Sequence, residues 1–523
     1  MRRIKLFDYQ QDMLDSIVGA LTADGADSVV YDEDGHGVEQ GRSVMVQMPT
    51  GTGKTYVMAA VVRWFVTTHA DGEVWLVAHR RELVEQMQHT LDGFGIAYAD
   101  KAAVPKPKVR VRVLSIQWLA RHVGDMEAKG LEPGLIVVDE AHHALADSYQ
   151  DVFARNAAAL KMGMTATPCR MKKASFGLLF GRLLTSPTTA DFIMRGFLAP
   201  YNYVVIGKSS VDQHIVNLLK CRGSDGDYAV REMDEKLNIP QAIQRLYNSV
   251  AKYASGRKGI VYAIDIAHAK AIAQCYQALG IKAVALDSKT PSAERRRMVE
   301  AFRCGEVSCL VNVNLFDEGF DCPDVEYIQM ARPTLSLAKY LQMVGRGLRV
   351  NRENADKVCM IIDNVGNYRK FGYPDRPRDW PSMFAGLKAG KGVAPPYARK
   401  MSGMVPVDED MVMVRKAAPE RTRMTASQLE SFKNSVVPFL SEDERLMGLR
   451  ANDEIVLRPI YPYISAFNGN YAIFRLNNNN YYYGVIDRLG YIIITPEYTN
   501  IEFLNSHAVK AWRTKSDIKT ITL

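Results

Sequence analysis

Met48-Pro49-Thr50-Gly51-Thr52-Gly53-Lys54-Thr55 brings two glycines, a lysine and three threonine hydroxyls together in one short run. Glycines let backbone N–H groups turn inward around an anion without Cβ clashes, and a following helix adds partial positive charge at its N-terminus. The chemistry that fits is binding of a triphosphate. Pro49, Thr50, Gly51, Thr52 and Gly53 form the cradle, Lys54 bridges the β- and γ-phosphates, and the Thr55 hydroxyl ligates Mg²⁺. Met48 stands where the usual pattern has its first glycine. Downstream, Leu135-Ile136-Val137-Val138-Asp139-Glu140-Ala141-His142 sets an acidic pair at the end of an apolar run. Asp139 can hold Mg²⁺, and Glu140 can orient and deprotonate an attacking water. A solvated turn would explain Asp-Glu alone. Buried at a strand end without a cation, two adjacent carboxylates would be costly, so the phosphate loop upstream favours the metal reading.

These groups need rigid elements behind them. The loop follows an apolar run at 44–48 and opens a helical run at 56–68. Further buried-strand patterns lie at 74–78, 135–138 and 161–164, and the alternation restarts at 259–263, 283–286, 308–313, 327–330 and 358–363. Strands alternating with helices predict an α/β class, with two tandem lobes of parallel sheet. The expected layout is a first lobe over 1–190, a second over 191–373, a Pro/Gly-rich basic linker over 374–430 and a small β-rich domain over 431–523. Residues 207–237 show no clear period and read as a variable connection between the lobes.

At 523 residues, with 47% hydrophobic and 24% charged residues, the chain is too long for one compact domain and too apolar for global disorder. No apolar run reaches the roughly 18 residues of a membrane span. Asp8 and two glutamines stand where a signal peptide would need its apolar core, so the expected address is cytoplasmic and no membrane partner is expected. Seven cysteines without a C-x-x-C pair argue against a disulfide framework or a zinc module. A net charge of +8 is compatible with a polyanionic partner without demonstrating one.

The C-terminal part contains an internal repeat, residues 448–461 paralleling 484–498 with a period of 36 to 37 residues. Turn signals between β-branched and aromatic runs predict that each unit is a small antiparallel sheet. The units resemble WG repeats, with Met447 and Tyr483 where that family's tryptophan would be. The resemblance implies an interaction module. Residues 431–523 are nearly neutral in charge, which favours a protein partner there over a phosphate grip.

Asp139-Glu140-Ala141-His142, Thr165-Ala166-Thr167-Pro168 and Gln342-Met343-Val344-Gly345-Arg346-Gly347-Leu348-Arg349 follow the phosphate loop in order. With them the chain resembles a superfamily 2 helicase of the DEAH-box type from about Leu6 to Tyr368. Leu310-Val311-Asn312-Val313, the run 318–323, Arg332-Pro333-Thr334 and Asp363-Asn364-Val365-Gly366-Asn367 are similar to RadD and XPB-like DNA translocases. The RadD group's C-terminal zinc segment has no counterpart here, since no cysteine follows Cys359.

The resemblance implies the following roles. Tyr9 and Gln10 read adenine, although both could simply begin the amphipathic helix that follows them. Gln342, Arg346 and Arg349 approach the γ-phosphate from the second lobe. His142, Thr165 and Thr167 couple hydrolysis to lobe movement, and Gly319 and Asp321 contact the nucleotide. Arg80, Arg81, Ser115, Gln117, Asn312 and Asn314 hold nucleic acid, DNA being favoured over RNA. ATP and Mg²⁺ are the implied ligands. The expected function is an ATP-dependent translocase or helicase in repair or defence. The alternatives are a nucleic-acid-sensing ATPase that signals to a protein through residues 431–523, and an RNA helicase.

Overall fold

The computed structural model describes residues 5–23, 28–31, 37–40, 42–69, 71–100, 110–170, 175–287, 289–313, 324–351, 354, 356–376, 378–386, 411–415, 425–441, 446–451, 454–475, 482–488, 490, 492–512 and 518–523. Two seven-stranded sheets dominate it. The first runs Ala99–Asp100, Val111–Ser115, Glu73–Ala78, Pro133–Asp139, Leu160–Thr165, Ser43–Gln47, Arg182–Thr185, with every pairing parallel. The second runs Ala283–Leu286, Cys309–Asn312, Gly259–Tyr262, Tyr327–Met330, Cys359–Asp363, Tyr201–Ile206, all parallel, and ends in the antiparallel edge strand Met411–Arg415. Central strands such as Ser43–Gln47 and Cys359–Asp363 are buried at every position. Helices therefore cover both faces, and the strands read as continuous apolar runs.

The strand Tyr201–Ile206 pairs with Cys359–Asp363 inside the second sheet. This corrects the expectation that residues 207–237 connect the lobes. They form an excursion within the second lobe, carrying the short helices Val211–Asn217 and Val230–Leu237. The second of these buries only Met233 and Leu237, too few apolar positions to show a period. The Pro/Gly-rich stretch supplies the edge strand Met411–Arg415 to the second sheet. It also carries the turn of helix Trp380–Phe384, whose Phe384 ring lies 6.3 Å from Phe176 of the first lobe. It acts as a strap.

The repeats form three antiparallel sheets. Met447–Ala451 pairs with Glu454–Tyr461 and Tyr483–Asp487 with Ile492–Tyr498, and the register shifts fall at equivalent places in both pairs. A third sheet joins Asn500–Asn505 and Ala508–Trp512, where the repeat continues by pairing Ile464 with Ile501, Asn468 with Asn505 and Ala472 with Ala508, to Ile518–Thr522. The helix Ala426–Ser435 precedes these sheets. Its Lys433 ammonium meets the Asp191 carboxylate at 2.7 Å, and both side chains are largely buried.

Packing at Gly259 is tight enough to test. A Cβ there would lie 2.3 Å from Tyr327 ring carbons, and Tyr327 is 1% exposed in the core. Gly259→Ala is expected to cost about 1–3 kcal/mol through overpacking. Thermal melting should show a lower midpoint, and an unchanged midpoint would mean the ring yields freely.

Candidate active site

The phosphate loop leaves the buried strand Ser43–Gln47, and the Met48 N–H donates to the Thr165 carbonyl at 3.0 Å. Gly51 and Gly53 adopt φ of 89° and 78°, the left-handed region that glycine enters without strain. The space a Cβ would fill at Gly51 is taken by Leu198 Cδ2 at 3.1 Å and Arg349 Cγ at 3.3 Å. Thr52 Oγ1 donates to the Pro49 carbonyl at 2.8 Å. The Thr52 carbonyl accepts from Tyr9 Oη at 3.0 Å and Gln10 Nε2 at 3.3 Å. Tyr9 and Gln10 therefore brace the loop, and Gln10 Oε1 also accepts the Phe7 N–H at 3.0 Å. Burial pushes the Tyr9 phenol well above its ordinary value, so it stays a donor.

Lys54 and Thr55 open the helix Lys54–Thr68, where the helix terminus favours negative charge. Burial holds the Lys54 ammonium below its ordinary value. Glu140 and then Asp139 oppose that shift, while Arg346 and Arg349 add to it. Two carboxylates and two guanidinium groups are thus near enough to act on the Lys54 ammonium, and the five groups together leave a positive excess for a polyanion to neutralise.

Asp139 ends the strand Pro133–Asp139, and its Oδ1 accepts the Glu140 N–H at 2.9 Å. Glu140 is 7% exposed, with φ 48° and ψ 51°. Among the described residues it is the only non-glycine with positive φ. A strained carboxylate-bearing turn at the end of a central strand is a mark of function. His142 Nδ1 lies 3.3 Å from Glu140 Oε2 and 3.1 Å from Thr165 Oγ1. Thr165 Oγ1 in turn accepts the Thr167 N–H at 3.1 Å. Arg170 Nε donates to the His142 carbonyl at 3.1 Å. The sequence reading missed Arg170, although its place just after Thr165-Ala166-Thr167-Pro168 was a usable signal.

The second lobe closes the cleft with the helix Leu337–Gly347, on which Gln342 and Arg346 are one turn apart and both 4% exposed. A Cβ on Gly345 would lie 2.7 Å from Thr50 Cβ, so only glycine allows this approach of the lobes. Arg349 is anchored through its backbone, which bridges Leu198, while its carbonyl accepts Lys357 Nζ at 2.6 Å. Neither approach has a local sequence signal. Gly345→Val is expected to lower ATP turnover at least ten-fold with little change in melting midpoint, since the clash lies between lobes. Parallel kinetics and melting would check it.

The site residues fit Mg²⁺ as well as a triphosphate. Thr55 and Asp139 supply one hydroxyl and one carboxylate beside the cradle, the sparse oxygen set that this ion takes together with phosphates.

Of the residues expected to hold nucleic acid, Arg80 is the N-cap of helix Arg81–Phe94 and makes no side-chain capping bond. The exposed Arg81 pairs with Glu85 at 3.1 Å. Ser115 caps the helix Ile116–Ala128 by accepting the Trp118 N–H at 3.3 Å, and the exposed Gln117 donates to the His79 carbonyl at 2.9 Å. These four lie at the C-terminal ends of adjacent strands. Asn312 does not join them, being 0% exposed at the end of Cys309–Asn312 beside Arg332, Thr334 and Lys339. Asn314, Gly319 and Asp321 lie outside the described residues. Between the lobes, Arg295 of helix Ser292–Arg303 meets Glu82 at 2.7 Å, a contact the sequence did not signal. No helix among the described residues is long and apolar enough to cross a membrane.

Residues 3–170 match the family described as the res subunit of type III restriction enzymes, and residues 240–351 match the helicase conserved C-terminal domain. Residues 451–481 and 483–506 match the WG containing repeat. A 51.5 kDa protein of Lactococcus phage (isolate 7-9) is 32% identical over 350 residues, covering 66% of this chain and 71% of the phage protein. The Saccharomyces cerevisiae protein that carries the name ATP-dependent helicase IRC3 is 25% identical over 390 residues. That match covers 69% of this chain and only 51% of the yeast protein. Among solved structures, the ATP-dependent Type ISP restriction-modification enzyme LlaBIII bound to DNA superposes with a TM-score of 0.51 at 16% identity. It covers 77% of this chain and 31% of that one, a likeness of fold. With the two-lobed cleft and its facing lysine, carboxylates and arginines in place, the chain belongs to the superfamily 2 helicases and is an ATP-dependent enzyme of that kind, bearing WG repeats on its C-terminal side.

Proposed function

We propose that the chain is a DNA translocase or helicase whose ATP hydrolysis is stimulated by the nucleic acid, and that it belongs to the DEAH-type, RadD/XPB-like branch. One observation carries this reading: the phosphate loop of the first lobe meets the second lobe directly, Arg349 Cγ lying 3.3 Å from where a Cβ of Gly51 would be and Thr50 Cβ 2.7 Å from where one of Gly345 would be, which sets Lys54, Asp139 and Glu140 opposite Arg346 and Arg349. ATP bound there links the lobes. Lys54 holds the β- and γ-phosphates, Glu140 accepts a proton from the attacking water, and Arg346 and Arg349 offset charge on the transferring phosphoryl group. Mg²⁺ held by Thr55 and Asp139 supplies further neutralisation of the phosphates when bound. Loss of the γ-phosphate releases the arginines, so closure and opening alternate with hydrolysis. Arg80, Arg81, Ser115 and Gln117 position a phosphate backbone without reading sequence. A role for Asn312 or Asn314 in the track needs a rearrangement at Asn312, which is buried. Preference for DNA over RNA draws support from the DNA-bound restriction enzyme of the same fold.

ATP turnover measured in parallel with duplex DNA, single-stranded DNA and RNA at one stated salt concentration tests the proposal, because backbone binding depends steeply on salt. Duplex DNA should stimulate at least ten-fold. Strongest stimulation by RNA would replace the DNA reading, and no stimulation by any polynucleotide would end it. A second reading, in which the repeats pass the motor's state to a protein, is favoured by the ion pair of Lys433 with Asp191. Asp191 also closes the capping box of helix Thr189–Met194, and the ring of Phe192 on that helix meets Tyr9 at 4.8 Å.

A further inference from the structure

We infer that His79 and His143 form a relay between the nucleic-acid-facing loops and the turn that holds Glu140. The inference rests on the proposed function, since it assumes that Glu140 is the base and that nucleic acid stimulates turnover. His79 leaves the strand Glu73–Ala78 immediately before Arg80, and its carbonyl accepts the Gln117 amide at 2.9 Å. One residue therefore joins the two loops expected to grip a backbone. The His79 ring lies 4.1 Å from the His143 ring, inclined at 46°. The His143 ring lies 4.2 Å from His142, inclined at 40°. The row ends at His142 Nδ1, between the Glu140 carboxylate at 3.3 Å and the Thr165 hydroxyl at 3.1 Å.

The receiving end is built to respond. Glu140 occupies a left-handed conformation that a side-chain-bearing residue keeps only when its surroundings enforce it. The enforcing contacts include the His143 N–H donating to the Glu140 carbonyl at 3.0 Å and the Arg170 bond to the His142 carbonyl at 3.1 Å. Bonds in this distance range weaken steeply when geometry shifts. Rings in direct contact, half-buried at His79 and His143 and 4.1 and 4.2 Å apart along the row, pass a displacement of one to the next. A backbone drawn onto Arg80 and Gln117 moves residue 79, His143 follows, and the Glu140 carboxylate is aimed. His79 and His143 are positioning residues and neither touches the phosphates. The relay differs from the Thr165–Thr167 connection, which leads along the Leu160–Thr165 strand.

The test uses the full chain as wild type, His143→Ala and His143→Phe, with ATP turnover measured without and with duplex DNA. DNA affinity is followed by anisotropy at the same salt. His143→Ala should keep basal turnover and DNA affinity within two-fold and lose stimulation at least five-fold, while His143→Phe, which keeps a ring in place, recovers at least half of the stimulation. Full stimulation in His143→Ala overturns the relay, as does an equal fall in basal and stimulated rates or a His143→Phe variant no better than alanine. If the wild type itself responds to no polynucleotide, the functional reading fails and the relay with it. If the wild type responds and His143→Ala does too, the relay alone fails.

Discussion

Glutamine at position 140 is expected to leave ATP bound and almost unhydrolysed. Glutamine matches glutamate in size and meets the same left-handed backbone that Glu140 occupies at φ 48°, so the turn keeps its shape. The change removes the group that takes the proton. Positioned general bases contribute about 10²–10⁴ in rate, and a loss of that size is expected in turnover, with ATP affinity within a few-fold of wild type. His142 is no substitute. Its Nδ1 is engaged with Thr165 at 3.1 Å as well as with Glu140. Single-turnover hydrolysis and equilibrium nucleotide binding on the same preparation would check both halves. Retention of more than a tenth of the wild-type rate would mean that another group is the base.

How far such a site can be read from sequence depends on which residues build it. Lys54, Asp139 and Glu140 were legible because each sits in a contiguous run at the end of a buried strand, where local pattern and chemistry coincide. The strands 283–286 and 327–330 were legible residue for residue because they are short apolar runs between turn signals. The edge strand Arg182–Thr185 went unread: its residues are only partly buried, and its pairing with Ser43–Gln47 is decided by a neighbour far away in the chain. The same holds for Met411–Arg415, which a Pro-rich composition disguised. The close approaches of Gly345 to Thr50 and of Arg349 and Leu198 to Gly51 exist only between lobes, so no window of sequence contains them. Tyr9 and Gln10 mark the middle case. The resemblance implies that they read adenine, whereas their hydrogen bonds to the Thr52 carbonyl join segments more than forty residues apart and leave no local pattern.

Removing the Arg349 side chain should produce the largest loss, about 10³-fold or more in turnover, the scale associated with an arginine that meets a transferring phosphoryl group. Arg349 suits the experiment better than Arg346. Arg346 is 4% exposed within the helix Leu337–Gly347, so truncating it also leaves a gap in the packing. Arg349 is half-buried and its backbone is fixed independently of its side chain. The Leu348 carbonyl accepts the Ala199 N–H at 2.7 Å and the Arg349 carbonyl accepts Lys357 Nζ at 2.6 Å. Arg349→Ala should therefore melt near the wild-type midpoint and bind ATP with Lys54 intact. Arg349→Lys should recover little, because an ammonium keeps the charge without the planar fork that spans two phosphate oxygens. Near-wild-type turnover in Arg349→Ala, with folding intact, would mean that the second lobe closes the cleft sterically through Gly345 and Leu198 and contributes no charge to the transition state.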